Sequence, residues 1–396
     1  LRAGCVASQS STRAHWRMDG RPDSMTPTTS STSSTSSTSL SLVSWHGSRR
    51  VRTAAVLGGA ALFAVAAALA LIAIVHVPLG DALAAFADGA WGSPYAIGAS
   101  INRSLVFALV GSGFVLANRA QLTNVGGEGQ IAMGGIAATA VSLYGHVAHL
   151  PLGMSFIMPM LAAALAGAAW GAIPGWLKAR AGTSEVISTL LLTFIAVWFL
   201  YWCVQSEALL RQPMTNAATL PESLDIPDST KLPLLSSASS TGLHIGLPIT
   251  LVLCIAAALV LVYSRFGMYL RAVGLNALAA RRAGMPITST IVGALALAGA
   301  LGGLAGALML QGDQYSLKAG FSSGYGFDGL VVGLLARGSI TGVCAAALLF
   351  GFLRSGGINM EMVASVPSAL VLVVQGVVIV ALAGGSLWLE PQGARR

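Results

Sequence analysis

Apolar residues in this chain come in long runs, and polar residues are confined to the breaks between them. A bilayer core roughly 30 Å thick is crossed by about 20 apolar helical residues. By that ruler the runs predict spans at 53–77, 98–117, 128–146, 154–177, 186–204, 245–264, 289–310, 340–354 and 366–386. Between the seventh span and the next lies "GYGFDGLVVGLLARG", whose apolar run, 327–336, is too short to cross alone. It reads as half of a broken helix, an arrangement tolerated only where it packs against protein or lines a cavity. The fold class is therefore an all-α polytopic membrane protein with about ten transmembrane helices, one of them short or broken.

Composition agrees: 55% of the residues are hydrophobic and 9% are charged, where a soluble domain carries about 25% charged residues. The net charge of +8 does not point to nucleic acid, because seven arginines lie in residues 1–52 and most of the others sit in short loops between spans. Charge placement also orients the chain. With ten crossings, thirteen basic residues from Arg49 to Arg396 fall on the side of the N-terminus, and five (Arg103, Arg211, Lys231, Lys318 and Arg354) fall on the other. The positive-inside rule then puts both termini in the cytoplasm of a plasma (inner) membrane protein.

Residues 1–48, with "TSSTSSTSSTSLSL" at their end, read as a disordered Ser/Thr-rich tail. The chain opens on Leu1, so Met18 and Met25 are candidate starts and the tail a candidate start-site artefact. Residues 49–388 form the transmembrane domain, and 389–396 a short cytoplasmic tail. The scattered cysteines read as small hydrophobes, and the histidines give no metal-like set. There is no G-x-x-x-x-G-K-[ST] loop to cradle a nucleotide, and nothing argues for an enzyme or for a cofactor bound by this chain.

Two glycine stripes stand out within spans: Gly167, Gly171 and Gly175, and Gly299, Gly302, Gly303 and Gly306. In lipid, small residues at this spacing let helix backbones approach closely. Between the sixth and seventh spans, Ala277 to Ala283 reads as a short helix capped by Asn276 and ended by Gly284 and Pro286, with Arg281 and Arg282 at its carbonyl end. Taken alone, it fits a docking surface and a lipid-headgroup anchor equally.

Four segments together resemble ABC-importer permeases of the nucleoside and simple-sugar branch of the branched-chain amino acid and ribose permease superfamily. They are "LTNVGGEGQIAMGG", "GTSEVISTLLLTFIA", "LRAVGLNALAARRAGM" and "GYGFDGLVVGLLARGS". The resemblance covers residues 95–385. It implies that 270–285 is a cytoplasmic coupling helix docked on a separate ATPase, through Arg271, Gly274, Asn276, Ala279, Ala280, Arg281 and Gly284. It further implies a second permease subunit, identical or paralogous, and an extracytoplasmic solute-binding lipoprotein. ATP and Mg belong to the partner ATPase, and no nucleic acid is involved. Where the family commonly has Asn-Tyr, this chain has Thr193-Phe194, which removes two hydrogen-bond handles.

The pathway expected from these motifs runs past Asn124, Glu128, Gln130, Glu185, Thr193 and Asp328. A carboxylate in a helix's first turn is favoured by the helix dipole, so capping alone accounts for Glu128. An ionisable group at membrane depth also marks a pathway, and glycine-rich breaks are where transporters expose polar backbone. Both readings stand at this point. The aromatic set Trp198, Phe199, Tyr201 and Trp202 reads first as an interfacial belt and second as a stacking surface for a base. The expected function is import of a small polar solute, nucleoside before simple sugar. The rival readings are an ion-driven secondary transporter and a non-transporting scaffold.

Overall fold

Ser93 and Pro94 start the first long helix. The serine hydroxyl accepts the Ala96 N–H at 3.1 Å and proline fills the first turn, where its missing N–H costs nothing. This computed structural model describes residues 78–367 apart from Leu152, 214–220 and 236–239, with isolated positions at 58–70 and 373–377. The spans read at 53–77 and 366–386 lie largely outside the described residues, and 1–48 and 389–396 lie wholly outside them.

The helices are α1 (Leu79–Trp91), α2 (Pro94–Asn118), α3 (Gly127–Tyr144), α4 (Met154–Ala181) and α5 (Glu185–Gln205). They continue with α6 (Gly246–Tyr263), α7 (Arg265–Leu275), α8 (Ala277–Arg282), α9 (Ile287–Met309), α10 (Tyr325–Leu335) and α11 (Ile340–Ala364). Six of them (α2, α4, α5, α6, α9 with its π-turn Leu310–Gln314, and α11) are long and apolar enough to cross a bilayer. The most apolar stretch of α2 is 78% buried within the protein and that of α9 is 61% buried, against 28% for α4 and α6. So α2 and α9 form the centre and α4 and α6 the rim. At about 1.5 Å per residue, the 11 residues of α10 cover roughly 16 Å, half a bilayer core.

The two glycine stripes meet each other. A methyl group added at Gly299 would overlap the Gly167 carbonyl, and one at Gly303 the Ala163 carbonyl. Gly134 of α3 closes on Gly303, and Gly306 on Ile131. Three helices thus touch backbone to backbone, the close approach that small residues permit in lipid.

Two elements depart from expectation. Helix α1 has no counterpart among the predicted spans, being short and broken by Asp81 and Asp88. It exists because α11 receives it: Asn359 Nδ2 donates to the Ala85 carbonyl at 2.7 Å, and Ala82 packs on Met360. Helix α11 itself runs ten residues past the predicted end at 354. Its polar residues are matched inside the protein instead of marking a loop. Arg354, read from sequence as an outer-side loop charge, is a helix residue with its side chain only 12% exposed. Arg103, counted with it, lies within α2 and donates to Ser355 Oγ at 2.8 Å.

Successive helices alternate in direction between two ends. At one end Tyr144 donates to the Leu209 carbonyl, and Gln311 Nε2 donates to the Phe156 and Thr230 carbonyls. There the described stretch 221–235 is tied down by main-chain bonds from Ser223 to Leu317, Ile226 to Tyr315 and Leu232 to Gln311. At the other end are Arg119, the Lys178–Glu185 ion pair, α7 and α8.

Candidate functional site

The chain leaves α2 at Arg119 and turns back into the protein along 119–126 before α3 begins. Asn124 Oδ1 accepts the Gly126 N–H at 3.0 Å, and the Asn124 and Gln130 amides bond to each other at 3.1 and 3.3 Å. Asn124 therefore closes a turn just ahead of the helix instead of capping it. The first residue outside α3 is Gly126, which has no side chain to offer. Val125 N–H donates to Thr189 Oγ1 at 3.2 Å, fixing the segment to α5.

Glu128 reaches out of its own helix. Its Oε1 accepts the Gly324 N–H and its Oε2 the Gly326 N–H, both at 2.7 Å, at a site 6% exposed. Those N–H groups open α10, so the first turn of α3 supplies the anion that the start of α10 lacks. The fit needs glycine: at Gly326 any side chain would overlap the Glu128 backbone, and Gly324 sits at φ +84°. Gly329 and Gly333 seat α10 against Val110 and Phe114 of α2.

Around this junction lies a polar cluster absent from the sequence expectation. Tyr325 stacks on Phe107 with ring centroids 4.9 Å apart, and the Arg354 guanidinium lies 5.0 Å from the Tyr325 centroid. Arg354 Nη2 donates to the Ser323 carbonyl at 2.8 Å, and its Nη1 is 3.9 Å from Asp328 Oδ2. Beside Tyr325 is a cavity of about 10 Å³, room for one water. Asn102, Arg103, His244 and Asp313 line it with apolar walls from Val106, Leu308 and Met309. Asn102 Oδ1 and Arg103 Nε are buried there without a hydrogen-bond partner. Burial pushes the His244 imidazole down to about 4, although Asp313 pulls the other way. His244 Nδ1 accepts the Gly246 N–H at 3.1 Å, so the neutral ring carries its proton on Nε2. The sequence signal for this cluster was an arginine inside an apolar run, "ASINRSLVF".

The six expected pathway residues divide. Asn124, Glu128, Gln130 and Asp328 converge on the α3–α10 junction. Thr193 is nearby, with its Cα against Gly129 and its hydroxyl on the Thr189 carbonyl. Glu185 is elsewhere, paired with Lys178 at 2.8 Å across the α4–α5 turn. Phe194, Trp198 and Trp202 are exposed on the outer surface of α5.

The loop residues also divide. Asn276 caps α8, its Oδ1 accepting the Ala279 N–H at 3.0 Å. Gly284, at φ +76°, ends the turn with open space around it. Arg271, Ala279, Arg281 and Gly284 face outward, and Leu275 and Leu278 are 88% and 60% exposed. Ala280 is buried, and Gly274 lies against the Arg119 carbonyl, so these two seat the loop on the bundle. Among the described residues no group of three or more His, Cys, Asp or Glu side chains is placed to hold a metal.

Residues 96–383 match the family described as branched-chain amino acid transport system / permease component. A guanosine ABC transporter permease of Bacillus subtilis is 33% identical over 332 residues, 81% of this chain and 92% of the relative. A glucose ABC transporter permease of Haloferax volcanii is 34% identical, covering 71% of this chain and 74% of the relative. A nucleoside ABC transporter permease of Lactococcus lactis is 30% identical over 73% of this chain and 79% of its own length. No solved structure matches. The family match spans most of the chain and three relatives agree with it: the chain belongs to the branched-chain amino acid transport permease family and is a transmembrane permease subunit of an ABC importer.

Proposed function

We propose that this subunit carries nucleosides inward, with simple sugars the next solute class, as one half of a permease dimer. A cytoplasmic ATPase docks on α7 and α8 and supplies the ATP chemistry, and an extracytoplasmic binding lipoprotein delivers solute to the end capped by 206–245. The single observation that carries this reading is the loop around α8. It is a capped helix with bare leucines at 275 and 278 and two arginines, and it is seated on the bundle by Ala280 and Gly274. An apolar knob ringed by basic groups suits a groove on a soluble protein.

Orientation follows from the same end. Once Arg103 and Arg354 are taken as interior residues, the outer side keeps only Arg211, Lys231 and Lys318 as loop cations. That strengthens the cytoplasmic placement of α8 and of both termini, and ten crossings. The nucleoside preference is supported by the guanosine and nucleoside relatives. The Glu128 junction and Asp328 stand on the pathway as its hinge.

The test is uptake of labelled guanosine and glucose by cells carrying the whole importer. Guanosine uptake should require ATP, be competed by other nucleosides, and vanish in Gly284→Arg with the protein still in the membrane. Uptake that survives both ATP depletion and Gly284→Arg refutes the proposal.

A further inference from the structure

The half-helix α10 is gripped at both ends by one short stretch of chain. At its start, the Glu128 carboxylate takes the Gly324 and Gly326 N–H groups at 2.7 Å. Beyond its end, Arg119 Nη2 donates to the Gly338 carbonyl at 2.7 Å, where the chain turns at φ +77°. An anion at the amino end and a cation at the carbonyl end match the helix dipole in sign. Residues 119–128 reach up to about 30 Å when extended, so the stretch easily spans the roughly 16 Å of α10. The same stretch meets the exposed loop: Gly274 of α7 lies against the Arg119 carbonyl and Ala120, so closely that an added methyl group would overlap that carbonyl.

We propose that Arg119 is a positioning residue for transport, making 119–128 a strap that moves α10 as a unit when α7 is displaced. This rests on the importer reading above, because it takes the displacement of α7 to come from the ATPase. The logic is mechanical. Helix α10 crosses only half the bilayer and rests on α2 through the shallow seats of Gly329 and Gly333 on Val110 and Phe114, so its two capped ends set where it lies along that face. A push on Gly274 reaches Arg119 and Ala120 directly. Through the strap it then reaches the Gly338 turn at one end and the Gly324–Gly326 backbone at the other. Tyr325, which lines the cavity, rides on the same motion.

The experiment uses the complete importer, with ATPase and binding protein, in proteoliposomes loaded with ATP and supplied with labelled guanosine. Uptake per ATP hydrolysed is measured for the wild type, Arg119→Ala and Arg119→Lys. With the strap cut, Arg119→Ala should go on hydrolysing ATP but deliver at least five-fold less solute per ATP, and Arg119→Lys should regain most of it. A second measurement needs no variant. When the wild-type complex is trapped with a non-hydrolysable nucleotide, amide exchange in 119–126 and in 324–338 should change together. Equal uptake per ATP in Arg119→Ala and wild type overturns the strap, as does exchange that changes in 119–126 but not in 324–338. Wild-type uptake that ignores ATP overturns the importer reading instead, so the two failures are told apart.

Discussion

Glu128 is the side chain whose removal discriminates most sharply between holding α10 and touching solute. Its two oxygens take the buried Gly326 N–H and the half-buried Gly324 N–H, and no other acceptor is bonded to either. Glu128→Ala leaves both donors unmatched, at about 1–3 kcal/mol for a buried group, so up to roughly 4 kcal/mol for the pair. Glu128→Gln keeps one acceptor and turns an NH₂ toward the second donor, so about half that loss is expected. At 1.36 kcal/mol per decade these losses are about a thousand-fold and about thirty-fold in local opening. The assay is hydrogen–deuterium exchange of the peptide covering 321–330 in nanodiscs, compared with a distant peptide in α9 as control. Exchange at Gly324 and Gly326 should accelerate by those factors, in that order. Were exchange in both variants to stay within three-fold of the wild type while uptake disappears, the capping argument would fail, and Glu128 would have to act on the solute itself.

Other consequences are simpler to check. Gly299→Leu drives a side chain into the Gly167 backbone, so the variant should lose its monodisperse peak in fluorescence-detected size exclusion. Gly80→Leu, with open space around it, should keep that peak. His244 is neutral when buried, with its folded value near 4 below the ordinary 6.5. Its contribution is therefore complete above pH 6.5 and drains away as pH falls toward 4, roughly 3 kcal/mol in all. Melting temperature should drop across that window in the wild type and much less in His244→Gln. Asn276→Ala removes the α8 cap, worth about 1 kcal/mol; trypsin should then cut at Arg281 and Arg282 several-fold faster.

The long helices were legible because a bilayer demands long apolar runs, and the loop around α8 because Asn276, Gly284 and Pro286 act locally. The glycine stripes announced a close contact but could not name their partner; the contact of Gly167 with Gly299 is set by tertiary packing. Helix α1 and the last ten residues of α11 were invisible for one reason. A polar side chain of one is met by the backbone of the other, as the Asn359 amide is by the Ala85 carbonyl, and a hydropathy run scores such a residue as a break. The role of Glu128 was half legible. Sequence placed it in a first turn beside a dipole, yet the helix start it serves most directly begins almost 200 residues later. Arg103 and Arg354 were counted among the outer-side charges although both fall within predicted spans, because a count along the chain cannot see the partners, Ser355 and the Ser323 carbonyl, that hold them.

The segment 221–235 is attached to 310–317 by main-chain donors and acceptors, through Ser223, Ile226 and Leu232. Such an attachment specifies the path of the chain while leaving side chains that face away from the bundle unconstrained. Lineages can thus rewrite that outer face without disturbing the helices beneath. Divergence should accumulate on this cap first, making it the natural place to graft a foreign epitope.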